Sequence, residues 1–245
     1  MHDTGLERLV RGVRLLCLDA GNTVIFLDHA RLARWATERG LPLTAEALVG
    51  TEGEAKRLQE QGGMLDLDWD GRHLPGAVGW GRMVGTMLHR AGVPTDTVRG
   101  WLGGLWLDHV RWNLWSLVPD GLGEALEEAR GRGVRVAVVS NSEGMLDELF
   151  VALGVRRHLD LLLDSGKIGI EKPDPRIFRM ALDAFGLEPD QALHLGDSIA
   201  TDVDGARAAG MRVALVDPHG HCAGRAEDVP RVSGVAQVAR AMGRA

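Results

Sequence analysis

The sequence has little of what marks several common classes of protein. Its two cysteines, Cys17 and Cys222, lie far apart and do not form a disulfide framework. Lysine and arginine together number 28 against 34 acidic residues, a net charge of −6, so there is no basic surplus for nucleic acid or an anionic membrane to bind. No apolar stretch is long enough to span a bilayer, and the N-terminal segment lacks the apolar region of a leader peptide. We therefore expect a cytoplasmic protein that binds neither nucleic acid nor membrane, with its oligomeric state open.

Lysine is also scarce, because arginine supplies most of the basic side chains. It occurs only at Lys56, Lys167 and Lys172. Lysine carries a compact point charge, whereas arginine carries a planar fork of donors, so the two are not interchangeable. A lysine retained in such an arginine-rich chain is therefore a candidate for a specific role.

Tryptophan is confined to one part of the chain. From about residue 31 to about residue 116, apolar residues recur at mixed three- and four-residue spacing, which predicts helices. All the tryptophans of the chain fall in this part: Trp35, Trp69, Trp80, Trp101, Trp106, Trp112 and Trp115. Aromatic residues at helical spacing usually pack against one another, so we expect a helical module with its own aromatic core.

The remaining sequence alternates between predicted strands and helices. An apolar run at residues 13–18 predicts a first strand, and further strands are predicted in "VRVAVVS", "LDLLLDSG", "QALHLGD" and "MRVALVD". Such alternation requires right-handed crossovers and a parallel sheet. We predict an α/β fold, a doubly wound parallel-sheet (Rossmann-like) core with an inserted all-helical cap domain. The core would comprise residues 1–28 and 117–245, and the cap residues 29–116.

Polar residues follow several of these predicted strands. They are Asp19 after the first strand, Ser140 and Asn141 after "VRVAVV", Lys172 in a later loop, and Asp197 and Asp202 after "ALHLG". The carboxyl ends of parallel strands meet at one edge of a sheet. We therefore expect these side chains to meet in one crevice.

In this order the residues resemble the motifs of the haloacid dehalogenase (HAD) superfamily, in its phosphatase-like branch. The motifs of that family are an Asp after the first strand, a Ser or Thr after the second, a Lys and a pair of Asp. The segments "VPDGLGEALEEARGRG" and "EKPDPRIF" also look like the connecting segments of the family. The resemblance covers residues 13–28 and about 117–216, and the helical module matches the first type of cap by position only. It implies a Mg²⁺-dependent hydrolase of a small phosphorylated metabolite.

The resemblance also implies a role for each residue. Asp19 would be the nucleophile that takes the phosphoryl group and then passes it to water. Ser140 and Asn141 would bind the substrate, and Lys172 would balance the charge of Asp19 and of the phosphoryl oxygens. Asp19, the Gly21 backbone carbonyl and Asp197 would bind the metal, with Asp202 beside it or just behind. A ligand set of oxygens alone suits Mg²⁺.

One position departs from the pattern of the family. Its phosphatases usually carry a second Asp two residues after the nucleophile, where it protonates the leaving oxygen and activates water. Here Gly21 takes that place, and Asn22 replaces the glycine that usually follows. Loss of such a group typically costs about a hundred- to ten-thousand-fold in rate.

Three functions therefore stay open. The protein could hydrolyse substrates with a good leaving group, such as acyl phosphates, or use an acid from the cap. It could bind phosphate with little turnover, as a regulatory protein. It could also cleave phosphonates or halo-acids, whose enzymes lack this Asp as well. The paired Asp residues of "GDSIATDVDG" argue against the metal-free dehalogenases. For the phosphonate branch, which uses a cap lysine as a Schiff base, only Lys56 lies in the predicted cap.

Overall fold

A computed structural model describes residues 5–69, 71, 74 and 76–242. Within this part of the chain, no helix is both long enough and apolar enough to cross a membrane. The chain divides into two compact units. The first runs to Phe26 and continues through Val118–Pro218 and from Gly224 onwards; the second comprises Leu27–Leu117 and His219–Ala223. The outermost residues of the predicted core, 1–4 and 243–245, lie outside the described residues.

In the described residues the strands are short, and strands alternate with helices along much of the chain, apart from a run of consecutive helices between residues 29 and 111. In chain order the strands are β1 (Leu15–Leu18), β2 (Phe26–Leu27), β3 (Trp115–Leu117), β4 (Arg135–Ser140), β5 (Leu161–Asp164), β6 (Ala192–Gly196), β7 (Arg212–Val216) and β8 (Arg231–Val232). The helices are α1 (Gly5–Val10), α2 (His29–Glu38), α3 (Ala45–Glu60), α4 (Ala77–Arg90), α5 (Thr95–Arg111), α6 (Leu122–Gly131), α7 (Leu146–Ala152), α8 (Ser165–Ile168), α9 (Pro175–Phe185), α10 (Asp204–Ala208) and α11 (Val235–Ala241).

The first unit is built on a six-stranded parallel sheet in the order β5-β4-β1-β6-β7-β8. All residues of β1 are buried, as expected of a central strand in a parallel sheet covered on both faces by helices. The predicted α/β Rossmann-like core is therefore confirmed. The sequence did not predict β8, α1 or α8, whose short segments carry too little periodicity to be recognised.

The strand order fixes where the functional residues emerge. β1 lies between β4 and β6, so the crossover connections run away from β1 in opposite directions along the sheet. Such a topological switch point opens a crevice at the carboxyl edge of the sheet. Leu18 is in register with Val138 of β4 and Leu195 of β6. The backbone N–H of Asp19 donates to the Leu195 carbonyl at 2.8 Å, which extends this pairing by one residue. Asp19 therefore stands directly at the edge.

The second unit holds the helices α2 to α5 and an aromatic core. Trp80 and Trp106 pack edge to face with their ring centroids 5.3 Å apart, and Trp69 lies 6.0 Å from Trp80. Leu48, Leu88 and other apolar side chains complete this core. Trp35 belongs to the same core, and Trp101 and Trp115 pack against it. Trp112 is the exception, with an exposed fraction of 63%.

The prediction that helix continues to about Ser116 is wrong at its C-terminal end. Helix α5 ends at Arg111, because the backbone of Trp112 leaves the helical region (φ −139°, ψ 82°). The side chain of Asn113 then accepts a hydrogen bond from the Trp115 N–H at 2.8 Å. The following residues form β3, which pairs with β2 in a separate two-stranded sheet. Local side-chain hydrogen bonds of this kind compete with helix formation.

Candidate active site

Three buried carboxylates converge at the carboxyl edge of the sheet. Asp19 follows β1, Asp197 follows β6, and Asp202 lies in the single π-helical turn Ile199–Val203. An oxygen atom from each lies within 4.8 Å of the others. The side chains reach this arrangement because the strands that carry them are neighbours in the sheet. The structure therefore brings these three predicted residues together.

Lys172 connects two of these carboxylates. Its Nζ donates to Asp19 Oδ1 at 2.5 Å and to Asp202 Oδ1 at 2.6 Å, and its side chain is buried. The side chain of Asn141 holds the backbone of Lys172: its Oδ1 accepts from the Lys172 N–H at 2.7 Å and its Nδ2 donates to the Lys172 carbonyl at 2.9 Å. Asn141 thus positions the lysine, and its predicted contact with substrate stays a prediction.

Three protein groups contact the carboxylate of Asp202. Besides Lys172, its Oδ1 faces His194 Nε2 at 2.9 Å, and its Oδ2 accepts from the Ser198 N–H at 3.0 Å. A Cβ atom at Gly196 would lie 2.2 Å from Asp202 Cγ, so only glycine fits there. These contacts favour a place for Asp202 behind a metal rather than a direct bond to it. His194, which the sequence indicated only as a strand residue, is part of this network.

Burial and charge act against each other in this group. Burial raises the pKa of Asp19, and the neighbouring Asp202 and Asp197 raise it further against the opposing effect of Lys172. Burial alone would lower the pKa of Lys172, but the carboxylates of Asp19 and Asp202 outweigh it and raise that pKa. The same lysine and His194 hold the pKa of Asp202 low in spite of its burial. The lysine is thus firmly charged, and additional positive charge would help to keep Asp19 ionised.

Ser140 lies buried at the end of β4, next to Asp164 of β5 in the strand register. Asp164 organises the loop that follows Ser140. Its carboxylate accepts hydrogen bonds from Ser142 Oγ at 2.7 Å and from the N–H groups of Gly144, Leu146 and Gly166 at 3.1, 3.1 and 3.0 Å. Asp164 was not among the candidate residues predicted from the sequence. Its one local signal, an Asp before a short helix, is shared by ordinary helix N-caps.

Gly21 and Asn22 form the turn after Asp19, with Gly21 in a bridge to Ile25. Asn22 has a φ of 56°, in the left-handed region that favours glycine and tolerates asparagine. This explains how Asn replaces the usual glycine. Its buried Nδ2 donates to Asp197 Oδ2 at 3.2 Å, a contact that the sequence did not predict.

The carboxylate oxygens at this site are suitable ligands for a hard divalent cation. The converging group consists of carboxylates alone, which select Mg²⁺ or a similar ion rather than zinc. With its carboxyl groups ionised, the group carries more negative charge than the one lysine neutralises. Asn22 Oδ1 is also buried beside it, with no hydrogen-bond partner among the residues that the structure describes.

Lys56, the lysine considered for a Schiff base, lies on α3 in the second unit.

Comparison with known proteins identifies the family. The model of haloacid dehalogenase-like hydrolases matches residues 13–210 of this chain. The chain therefore belongs to the haloacid dehalogenase-like hydrolase family, as its motifs predicted. It is similar to haloacid dehalogenase-like hydrolase domain-containing protein 3 of Bos taurus, with 34% identity over 83% of this chain and 82% of that protein. It is also similar to phosphoserine phosphatase of Thermus thermophilus, with 50% identity over 38% of this chain and 37% of that protein.

Solved structures agree on the fold. The HAD-hydrolase YfnB of Bacillus subtilis superposes with a TM-score of 0.61 at 16% identity, covering 94% of this chain and 98% of that one. L-2-haloacid dehalogenase of Xanthobacter autotrophicus superposes with a TM-score of 0.60 at 17% identity, covering 93% and 97%. At such low identity these likenesses establish a shared fold only.

Proposed function

We propose that this protein is a Mg²⁺-dependent phosphohydrolase that transfers a phosphoryl group from a small phosphorylated metabolite to Asp19 and then to water. The observation that carries the proposal is the buried contact between Asp19 and Lys172 at 2.5 Å, with Asp197 beside it. A carboxylate held next to a fixed cation at the edge of a sheet is placed to act as a nucleophile towards an anionic group. The similarity to a phosphoserine phosphatase points the same way.

The first step would form a bond between an Asp19 oxygen and phosphorus while the bond from phosphorus to the leaving oxygen breaks. Lys172 Nζ would stabilise the negative charge on the phosphoryl oxygens, and Ser140 at the neighbouring strand end would donate a hydrogen bond to one of them. In the second step a water oxygen would attack phosphorus, releasing phosphate and restoring the Asp19 carboxylate. A bound Mg²⁺, held by Asp19, Asp197 and the Gly21 carbonyl, would supply further charge neutralisation.

Gly21 limits the range of substrates that this mechanism can hydrolyse efficiently. It has no side chain to protonate the leaving oxygen, so that oxygen must depart as an anion or take a proton from elsewhere. We therefore favour substrates with a good leaving group, such as acyl phosphates. The same position supports the second candidate function, a phosphate-binding protein with little turnover.

The Asp19→Asn variant tests the proposal. An amide cannot act as the nucleophile, so we expect turnover of acetyl phosphate with Mg²⁺ to fall by at least a thousand-fold, with the circular dichroism spectrum unchanged. Asp120→Asn, at an exposed position, is the matched control and should keep full activity. Acid-quenched wild-type enzyme should hold phosphate covalently on Asp19. Full activity in Asp19→Asn, or in wild type after EDTA, would contradict the proposal.

A series of leaving groups separates the two candidate functions. Wild-type protein should cleave acyl and activated aryl phosphates far faster than alkyl phosphates, because unassisted departure depends steeply on the pKa of the leaving group. Brisk hydrolysis of alkyl phosphates would point to an acid elsewhere. Binding of phosphate with no turnover of any of these compounds would favour the phosphate-binding protein.

A further inference from the structure

Asn22 lies in the turn after Asp19, and a hydrogen bond fixes the orientation of its side-chain amide. The residue is fully buried, and its Nδ2 donates to Asp197 Oδ2 at 3.2 Å. Because a carboxylate only accepts hydrogen bonds, the amide must present its nitrogen to Asp197. Its Oδ1 is then directed elsewhere, and it has no partner among the described parts of the chain.

The backbone alone does not account for this side chain. A φ of 56° is satisfied by glycine at no cost, whereas asparagine adds an amide that must be desolvated. An unpaired buried amide oxygen has lost its hydrogen bonds to water without replacing them, which destabilises the folded state. The side chain is therefore expected to have a partner in the functional state of the protein, and the group of carboxylates beside it is what binds cations.

We propose that Asn22 is a positioning residue for the cation: its Nδ2 holds Asp197 in the orientation that binds the metal, and its Oδ1 accepts a hydrogen bond from water bound to that metal. This inference rests on the proposed function, because it assumes that Asp197 binds a divalent cation. Hydrogen-bond partners of metal ligands typically change metal affinity by about 10- to 100-fold. Asn22 would thereby supply the metal site with a support that glycine at this position cannot give.

Isothermal titration of substrate-free protein with MgCl₂ tests the inference without reference to activity. We expect Asn22→Gly to bind Mg²⁺ about 10- to 100-fold more weakly than wild type. Its thermal unfolding in EDTA should stay close to that of wild type, because glycine adopts this φ without strain. Asp197→Asn serves as the reference variant and should lose binding more severely.

The two variants distinguish the possible failures. If Asn22→Gly binds Mg²⁺ like wild type while Asp197→Asn does not, the role of Asn22 is refuted and the proposed metal site stands. If neither variant changes binding, the metal site itself is wrong. A measurement on wild type does not depend on the folding of the variant. In an NMR titration with Mg²⁺, the side-chain amide resonances of Asn22 should shift. The dissociation constant obtained from these shifts should equal the one obtained by calorimetry. Resonances that do not move would overturn the inference.

Discussion

Two buried carboxylate centres lie at the same edge of the sheet and are satisfied in opposite ways. At the ends of β1 and β6, Asp19 and Asp202 share the charged Nζ of Lys172, and Asp197 adds a further negative charge. At the end of β5, Asp164 accepts hydrogen bonds from one hydroxyl and three backbone N–H groups. Of the two centres, only the first combines a charged lysine with three carboxylates, a combination that suits ligand binding and chemistry. The second has the neutral, saturated environment of a structural residue.

The hydrogen-bond partners of a buried carboxylate in this fold indicate whether it serves chemistry or supports the structure. A carboxylate whose oxygens are all occupied by backbone N–H groups has little capacity left for a ligand. A buried ion pair of a carboxylate and a lysine produces a strong local electric field, because the surrounding dielectric is low. It therefore interacts strongly with any cation or anion that enters the site.

The largest effect is expected for Lys172→Met. Removing the lysine leaves Asp19 and Asp202 buried without their common counter-charge, and breaking a buried ion pair typically costs about 3–5 kcal/mol of unfolding free energy. Turnover should be lost as well, and urea unfolding with an activity assay would measure both.

Lys167→Met is the matched control for this change. Lys167 lies five positions earlier in the sequence, and its exposed Nζ pairs with Glu148 at 3.3 Å. Exposed pairs are worth about 0–1 kcal/mol, so this variant should stay stable and active. Equal losses in the two variants would contradict the distinction between the two lysines.

A smaller effect is expected for Asp164→Asn. The amide cannot accept all the hydrogen bonds that the carboxylate accepts, and an unsatisfied buried donor costs about 1–3 kcal/mol. Because the affected loop follows Ser140, we expect KM for the phosphorylated substrate to rise more than kcat falls. Steady-state kinetics and urea unfolding would check both parts.

Asp160→Asn provides the control at the opposite edge of the sheet. Asp160 precedes β5 and accepts from the Val136 N–H at 2.9 Å and from Arg135 at 3.2 Å. This variant should lose stability without any change in KM. A similar rise of KM in both variants would show that Asp164 acts through general stability.

The sequence predicted the residues of the first centre better than those of the second. Asp19 and Lys172 lie 153 positions apart, yet the rule that parallel strands end at one edge was enough to bring them together. Asp164 was missed because its partners are backbone N–H groups, which every sequence has. Asn22 was noticed only as a replacement for glycine, because no sequence pattern indicates its bond to Asp197, 175 positions away. The end of α5 was misjudged because hydrogen bonding by Asn113, rather than apolar spacing, determines it.

The smallest effect concerns Glu143, in the loop that Asp164 holds. Burial, and then the negative charge of Asp164, raise the pKa of the Glu143 carboxyl from 4.5 to about 7. The folded state therefore binds a proton more tightly than the unfolded state, so this residue lowers stability as the pH rises from about 4.5 to about 7. Glu143→Gln should match wild type at low pH and have a higher unfolding free energy than wild type at pH 8. A pKa rise of this size corresponds to about 3 kcal/mol in full. Because Glu143 is only half-buried, solvent screening should reduce the gain to about 1 kcal/mol.

Urea unfolding of Glu143→Gln and wild type at several pH values would measure this difference. Groups that titrate equally in both proteins cancel, so the difference isolates Glu143. Glu171→Gln, at an exposed position, should show no such trend. When Glu143→Gln is made in the Asp164→Asn background, its stabilising effect should shrink, because part of the raised pKa comes from the Asp164 charge. A stabilising effect that is the same at all pH values would mean that the carboxyl of Glu143 is not the group responsible.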